Sequence, residues 1–178
     1  MNIPFDNGWT VTTPCSHLPD RPNPIVFVTQ IPRPQEVYIL LQAGWALEQY
    51  RGKQIGGIKL DFSGGRQSDT PFILGLNIRD WSRNKPNAVN NFSSPTLRSA
   101  WQGTLSDGTI GGMDVLTIPV SGENTISTLT RIELYDISQD TTGEINPCIH
   151  LLAITVKHFI DNSNKHRTNR DVSVVVQQ

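Results

Sequence analysis

The sequence has few charged residues and few alanines. Charged side chains make up 17% of its 178 residues, whereas soluble domains average about 25%. The 15 basic and 16 acidic residues leave a net charge of −1, which argues against nucleic acid as a partner because its binders usually carry a basic face. There are 5 alanines and 17 isoleucines. Because β-branched side chains suit a pleated sheet better than a helix, this composition argues against a helical bundle and indicates a mainly β protein.

Long hydrophobic runs and cysteine motifs are also missing. The most apolar stretch, residues 37–47, is interrupted by Gln42 and is too short to span a bilayer, so we expect no membrane partner. The N-terminus lacks the basic start and apolar core of a signal peptide, which predicts a cytoplasmic protein. Cys15 and Cys148 are too far apart in sequence for a CxxC metal or redox motif. We expect two buried free thiols, with a bridge between them as the alternative.

Alternating apolar and polar residues provide the clearest structural pattern. Residues 55–62 and 71–81 both alternate, and the glycine-containing segment 63–70 lies between them. Two such runs around a turn predict an antiparallel hairpin. The whole chain contains about eight or nine strand-like segments separated by polar turns and shows no sustained helical period. We therefore predict an all-β fold, an antiparallel two-sheet sandwich of jelly-roll type.

The chain length and the proline positions predict the domain organisation. At this length we expect one sandwich domain over residues 1–160. Its first 24 residues hold five of the 12 prolines and predict an extended N-terminal arm. For residues 161–178 we predict a flexible linker, because 161–170 are polar, followed by a terminal strand or tail. Residues 82–99 are polar and aperiodic, and loops of this length are usually functional or disordered.

Residues 36–81 resemble a recurring pattern in galactose-binding-like β-sandwich domains attached to glycoside hydrolases. The late strand LLAITV at 151–156 resembles the closing strand of the same domains. The resemblance implies a jelly-roll sandwich that often binds sugars or carries structural calcium, and that elsewhere serves as a spacer. The residues that carry it are Val37, Tyr38, Leu40, Gly52, Ile58, Asp61, Phe62, Gly75, Asn77, Ile78, Asp80 and Trp81.

Aromatic and polar side chains suggest a carbohydrate site. Sugar rings stack on aromatic rings, and neighbouring polar groups bind their hydroxyls. Alternation along 71–81 predicts that Asn77, Arg79 and Trp81 share one strand face. In the alternative interpretation Trp81 caps the core and Arg79 pairs with Asp61 or Asp80. The predicted ligand-binding residues are Trp45, Tyr50, Asn77, Arg79, Trp81 and Trp101.

Carboxylates offer weaker candidates for metal binding and catalysis. Asp61, Asp69, Asp107 and Asp114 are candidate calcium ligands, because calcium prefers carboxylate and carbonyl oxygens. No motif for a nucleophile, a phosphate or a dinucleotide is present. We therefore expect no enzyme and no cofactor other than structural calcium. A glycoside hydrolase stays a weaker alternative, since it requires two carboxylates at a defined spacing.

The best prediction from sequence is a non-catalytic module that recognises carbohydrate through aromatic and polar loop residues. The alternative is an assembly or adaptor protein that binds other protein chains, or copies of itself, through an edge strand or the C-terminal tail. Exposure of the named aromatic residues in one groove would favour the carbohydrate hypothesis. Paired carboxylates in a pocket would favour a hydrolase.

Overall fold

The computed structural model describes residues 11–15, 19–138 and 146–159, and the backbone of residues 169–174. These residues form ten strands and two short 3₁₀ helices, and within them no helix is long and apolar enough to cross a membrane. The strands are β1 (Val11–Thr12), β2 (Ile25–Pro32), β3 (Pro34–Gly44), β4 (Gln54–Phe62), β5 (Arg66–Ile73), β6 (Leu97–Thr104), β7 (Ile110–Pro119), β8 (Thr128–Asp136), β9 (Cys148–Phe159) and β10 (Asn169–Val174). The 3₁₀ helices are Glu48–Tyr50 and Gly122–Ile126.

Two antiparallel sheets pack as a sandwich. The larger sheet has the order β1-β9-β3-β7-β6, and the smaller sheet has the order β2-β8-β4-β5. Strand β9 has two partners on one side: β1 pairs with the beginning of β9, and β10 pairs with the end of β9. The all-β, two-sheet antiparallel prediction is confirmed. Of the predicted N-terminal arm, residues 1–10 and 16–18 lie outside the described residues, as do residues 161–168 and 175–178 of the predicted linker and tail.

The core fills the space between the sheets because alternate residues of each central strand point inward. In β4, Ile58, Leu60 and Phe62 are buried, whereas Lys59 and Asp61 between them are half-buried. Other strands repeat this pattern, so the core consists mainly of aliphatic side chains, with a few aromatic ones such as Phe62 and Phe72. Its inward-facing members include Val37, Ile39, Leu41, Leu129, Ile132, Leu134, Ile154 and Val156.

The hairpin of β4 and β5 has a shorter turn and an earlier second strand than the sequence predicted. Its turn spans residues 63–65 alone, and β5 begins at Arg66 and ends at Ile73. The chain then turns, because the Asn77 side chain accepts a hydrogen bond from Ile73 N and donates one to Pro71 O, both 2.8 Å long. Residues 74–81 are therefore not a strand. The prediction that Asn77, Arg79 and Trp81 share one strand face is wrong.

The polar segment after this turn closes one end of the sandwich. Val89 is fully buried and Ala88 is 5% exposed, although both lie in the range predicted to be a functional or disordered loop. Asp80 is fully buried, and its carboxylate accepts hydrogen bonds from Ala46 N and Ser82 N at 2.9 Å each. The backbone donors fix the segment to the end of β3. Strand β6 then starts at Leu97, inside the predicted loop.

The outer faces of the two sheets differ in character. The smaller sheet presents an ion-pair chain in which Arg131 contacts Asp61 at 3.4 Å and Glu133 at 2.5 Å. The larger sheet instead presents a second apolar cluster, separate from the core, on the face that does not meet the smaller sheet. Its buried members are Tyr38, Leu40, Val115 and Ala153, with Met113 and Leu152 packed against them.

Candidate functional site

The four predicted aromatic residues have different environments. Tyr50 is 5% exposed and belongs to the core. Trp45 and Trp81 are half-buried, and the Lys85 ammonium lies 4.3 Å from the centre of the Trp45 ring. Trp101, on β6, is 46% exposed. The structure therefore does not place all four side chains in one exposed groove, and Trp101 is the most accessible of them.

The Trp101 indole rests on the surface of its own hairpin. In the β6–β7 ladder, Trp101 is opposite Met113 and Gly103 is opposite Gly111. A β-carbon on Gly103 would lie 2.4 Å from Trp101 Cζ2, and one on Gly111 would lie 3.6 Å from Cζ3. The first distance is far inside van der Waals contact, so the indole occupies space that any other residue at position 103 would need. The absence of a side chain at Gly103 thus lets the ring lie on the hairpin, while Gly111 is only within ordinary contact distance of it.

A groove of about 500 Å³ lies on the same outer face, where β3, β7, β9 and the start of β6 come together. Pairing of Tyr38 with Thr117 and of Glu36 with Lys157 places these side chains on neighbouring strands. The groove residues are Glu36, Tyr38, Pro95, Thr96, Arg98, Thr117 and Lys157. We call this set the outer-face groove.

Hydrogen bonds organise the floor of the outer-face groove around Glu36. Its Oε2 atom accepts hydrogen bonds from Lys157 Nζ at 2.8 Å and from Tyr38 Oη at 2.6 Å. These donors, Lys157 first, lower the pKa of the Glu36 carboxyl, and Arg98 adds to the effect. Glu36 is therefore ionised at neutral pH. With two cations and one anion, the groove can bind hydroxyl groups and can also tolerate a negative charge.

Arg79, a predicted ligand residue, instead belongs to a buried ion-pair cluster. Its guanidinium donates to both carboxylate oxygens of Asp114, at 2.9 and 2.8 Å, and lies 4.7 Å from the centre of the Phe92 ring. Arg83 donates to the same carboxylate at 3.0 Å. The alternative interpretation predicted an ion pair of Arg79 with Asp61 or Asp80. That partner is wrong, because Arg79 pairs with Asp114. Asp114 binds the 75–94 segment to the inner side of β7.

The calcium candidates are dispersed, and each has its own hydrogen-bond or ion-pair partner. Asp61 contacts Arg131, Asp69 accepts a hydrogen bond from Tyr135 Oη at 3.0 Å, and Asp114 is held by two arginines. Asp107 accepts a hydrogen bond from Thr109 N at 2.9 Å, within a turn. In the described part of the chain, no group of three or more His, Cys, Asp or Glu side chains is placed to hold a metal ion.

Sequence reasoning named Trp101 as a ligand residue but did not predict the outer-face groove. The signal present was the alternation of Glu36, Tyr38 and Leu40 along a strand that otherwise seemed buried on both faces. Arg98 and Lys157 carry no local signal, because they reach the groove through pairing of strands distant in sequence.

Comparison of this chain with models of known protein families, with curated proteins and with solved structures found no match.

Proposed function

We propose that this chain is a non-catalytic carbohydrate-binding module with a galactose-binding-like, jelly-roll architecture. Its ligand would lie across the outer face of the larger sheet. The observation that carries the proposal is the exposed Trp101 indole, which lies over Gly103 on the same outer face as the polar groove. A flat apolar ring and hydrogen-bonding groups on one face of a sheet match the two surfaces of an extended sugar chain, its C–H faces and its hydroxyls.

Hydrogen bonds within the chain organise the polar half of this surface. Lys157, Glu36 and Tyr38 hold each other in place by hydrogen bonds, so their side-chain entropy is largely lost before binding. Preorganised groups bind with a smaller entropic cost than mobile ones. The Tyr38 ring is 4% exposed, so it contributes its hydroxyl group rather than a stacking surface.

The carboxylate content of the outer-face groove supports binding rather than hydrolysis. Glu36 is the acidic member of the groove lining, whereas glycoside hydrolysis uses two carboxyl groups, one of them with a raised pKa. The pKa of Glu36 is instead lowered, by Lys157 above all. An ionised, paired carboxylate is a good acceptor for sugar hydroxyls and a poor general acid.

Affinity electrophoresis against soluble neutral and acidic polysaccharides, followed by calorimetry with any that retard the protein, tests the proposal. We expect Trp101→Ala to weaken binding at least tenfold, which corresponds to about 1.4 kcal/mol. Tyr135→Ala is the matched control. It removes an aromatic side chain from the outer face of the smaller sheet and should leave binding unchanged. Equal affinity of Trp101→Ala and the wild type, or no binding to any polysaccharide, would overturn the proposal.

A second candidate function is attachment to another protein chain along β6. This strand ends the larger sheet, and Trp101 and Leu105 expose 46% and 42% of their surface there. Edge strands with exposed apolar residues can accept an additional strand. A register shift between Ser99 and Trp101 interrupts the pairing of β6 with β7. Such an irregularity makes β6 a poorer template for an added strand. Sedimentation analysis of the wild type and of Trp101→Ala distinguishes the two candidates. A wild type that self-associates and a variant that stays monomeric would favour assembly.

A further inference from the structure

Arg98 and Trp101 are successive outward-facing residues of β6. Directly opposite residues of an antiparallel pair share one face of the sheet. Arg98 is opposite Val115, and the next pair toward the hairpin turn on this face joins Trp101 to Met113. Both β7 partners lie in the apolar cluster on the outer face of the larger sheet. Neighbouring positions on one face of a strand are about 7 Å apart, so Arg98 lies next to the proposed stacking platform.

The other charged side chains of the outer-face groove form a closed pair at a distance from Arg98. Val115, the partner of Arg98, is opposite Leu40 on β3. Glu36 lies four residues earlier on β3 and is opposite Lys157. Four residues of a strand span about 13 Å. Lys157 Nζ lies 2.8 Å from Glu36 Oε2, so these two charges neutralise each other.

Arg98 supplies the positive charge that the pair leaves uncompensated. The residue is exposed, and among the described residues no carboxylate lies within ion-pair distance of its guanidinium. Thr96 and Thr117 also line the groove, and Thr117 N donates to Thr96 O at 2.9 Å. Because Thr117 is opposite Tyr38, this row of hydroxyl groups lies between Arg98 and the ion pair. A ligand group at Arg98 thus meets an uncompensated cation beside hydroxyl groups.

We propose that the polysaccharide bound on this face is acidic, and that Arg98 binds the carboxylate of a uronic acid residue beside Trp101. The inference rests on the carbohydrate-binding function proposed above and names its substrate class. A guanidinium presents two parallel N–H donors whose spacing matches the two oxygens of a carboxylate. The indole provides an apolar surface for the sugar ring, and the charge-assisted hydrogen bonds select the acidic sugar over a neutral one.

Polygalacturonate and its carboxyl-reduced form are a matched pair of probes, because the reduction replaces the charged group and keeps the sugar backbone. Calorimetry with the full chain measures the affinity for each polymer. We expect the wild type to bind polygalacturonate at least roughly tenfold more tightly, since hydrogen bonds to charged groups are stronger than neutral ones. Added sodium chloride should narrow this difference, because salt screens exposed charges. Dextran sulfate serves as a third probe that carries sulfate in place of carboxylate.

Arg98→Gln tests the residue itself. The change keeps a hydrogen-bonding side chain and removes the charge, so affinity for polygalacturonate should fall roughly tenfold while affinity for the carboxyl-reduced polymer stays unchanged. Arg98→Lys keeps the charge without the planar fork and should give an intermediate loss. Arg66→Gln is the matched control, because it makes the same change in net charge at a side chain 43% exposed on the smaller sheet. It should bind both polymers as the wild type does. Circular dichroism verifies that each variant is folded.

Trp101→Ala should weaken binding of both polymers, and this contrast with Arg98→Gln separates the acidic specificity from the carbohydrate site. Equal wild-type affinity for the two polymers would overturn the acidic specificity and leave the carbohydrate site standing. Equal losses in Arg98→Gln and Arg66→Gln would also overturn it, because net charge rather than position would then explain the attraction. Binding of dextran sulfate alone would overturn the assignment of a carboxylate. Binding of neutral polysaccharides alone would overturn the inference and retain the proposed function, whereas no binding to any polysaccharide would overturn both.

Discussion

The guanidinium of Arg83 lies against the α-carbon of Gly112. A β-carbon at Gly112 would be 2.4 Å from Arg83 Nε and 2.8 Å from its Nη2 atom. Arg83 cannot move aside easily, because its side chain is 6% exposed and pairs with Asp114. We therefore expect Gly112→Ala to lower the free energy of unfolding by about 1–3 kcal/mol, measured by urea denaturation.

The neighbouring glycine provides the control for this prediction. A β-carbon on Gly111 would have its nearest contact at 3.6 Å, with the Trp101 ring, which is an ordinary van der Waals distance. Gly111→Ala should therefore change the free energy of unfolding by no more than about 0.5 kcal/mol. Equal losses in the Gly111 and Gly112 variants would contradict the steric explanation.

Removal of the Asp114 charge should destabilise the protein more than any surface ion-pair change. Asp114 is 2% exposed at its side chain and pairs with Arg79 and Arg83. Asp114→Asn would leave two buried guanidinium groups without the carboxylate they pair with, and such a loss costs about 3–5 kcal/mol. Chemical denaturation measures this loss.

The exposed pair between Arg66 and Glu123 is the matched comparison for Asp114. The two side chains are 43% and 73% exposed, so water and salt screen their attraction. Glu123→Gln should change the free energy of unfolding by less than about 1 kcal/mol. A comparable cost for both variants would mean that burial does not govern the strength of the Asp114 cluster.

The local part of the fold was accessible from the sequence, and β4 shows why. Alternation of Ile58, Leu60 and Phe62 with Lys59 and Asp61 is a direct consequence of the two-residue period of a strand. The same argument failed over residues 74–81, where apolar and polar residues also alternate. There the Asn77 side chain captures Ile73 N and Pro71 O, and an Asn side chain that bonds to nearby backbone competes with strand formation.

The candidate site was less accessible because its parts come from distant strands. Trp101 was predicted as a ligand residue on its chemistry alone, and its exposure is consistent with that prediction. Lys157 approaches Tyr38 through the pairing of β3 with β9, and Arg98 does so because β7 pairs with both β3 and β6. Sequence periodicity carries no information about which strands pair. The partner of Arg79, Asp114, is likewise separated from it by 35 residues.

The stability of the protein should depend on the protonation of Asp136. Burial, the largest cause, raises the pKa of this carboxyl above its usual value of 3.8. The folded state then binds the proton more tightly than the unfolded state, so this group contributes most stability below pH 3.8. That contribution is lost as the pH rises through the pKa of the folded protein. Each unit of pKa difference corresponds to about 1.4 kcal/mol.

Asp136→Asn removes this proton equilibrium and isolates its contribution. We expect the difference in unfolding free energy between wild type and variant to change as the pH rises from 3.8 through the folded-state pKa of Asp136. Above that range the difference should be constant. Urea denaturation at a series of pH values measures the curve. A difference that stays constant across the acid range would show that Asp136 does not titrate differently in the folded protein.

Gly103→Ala tests whether the orientation of the Trp101 ring, rather than its presence, matters for the proposed carbohydrate site. The new β-carbon would lie 2.4 Å from Trp101 Cζ2, so the indole must rotate away from the hairpin. Because the ring is 46% exposed, it can rotate into solvent, and the cost in stability should stay below about 1 kcal/mol. Polysaccharide affinity should nevertheless fall by roughly tenfold, as for Trp101→Ala.

Gly111→Ala keeps the ring in place and should retain wild-type affinity. Full affinity of Gly103→Ala together with loss in Trp101→Ala would mean that the ring binds sugar from more than one orientation, which would contradict a preorganised platform.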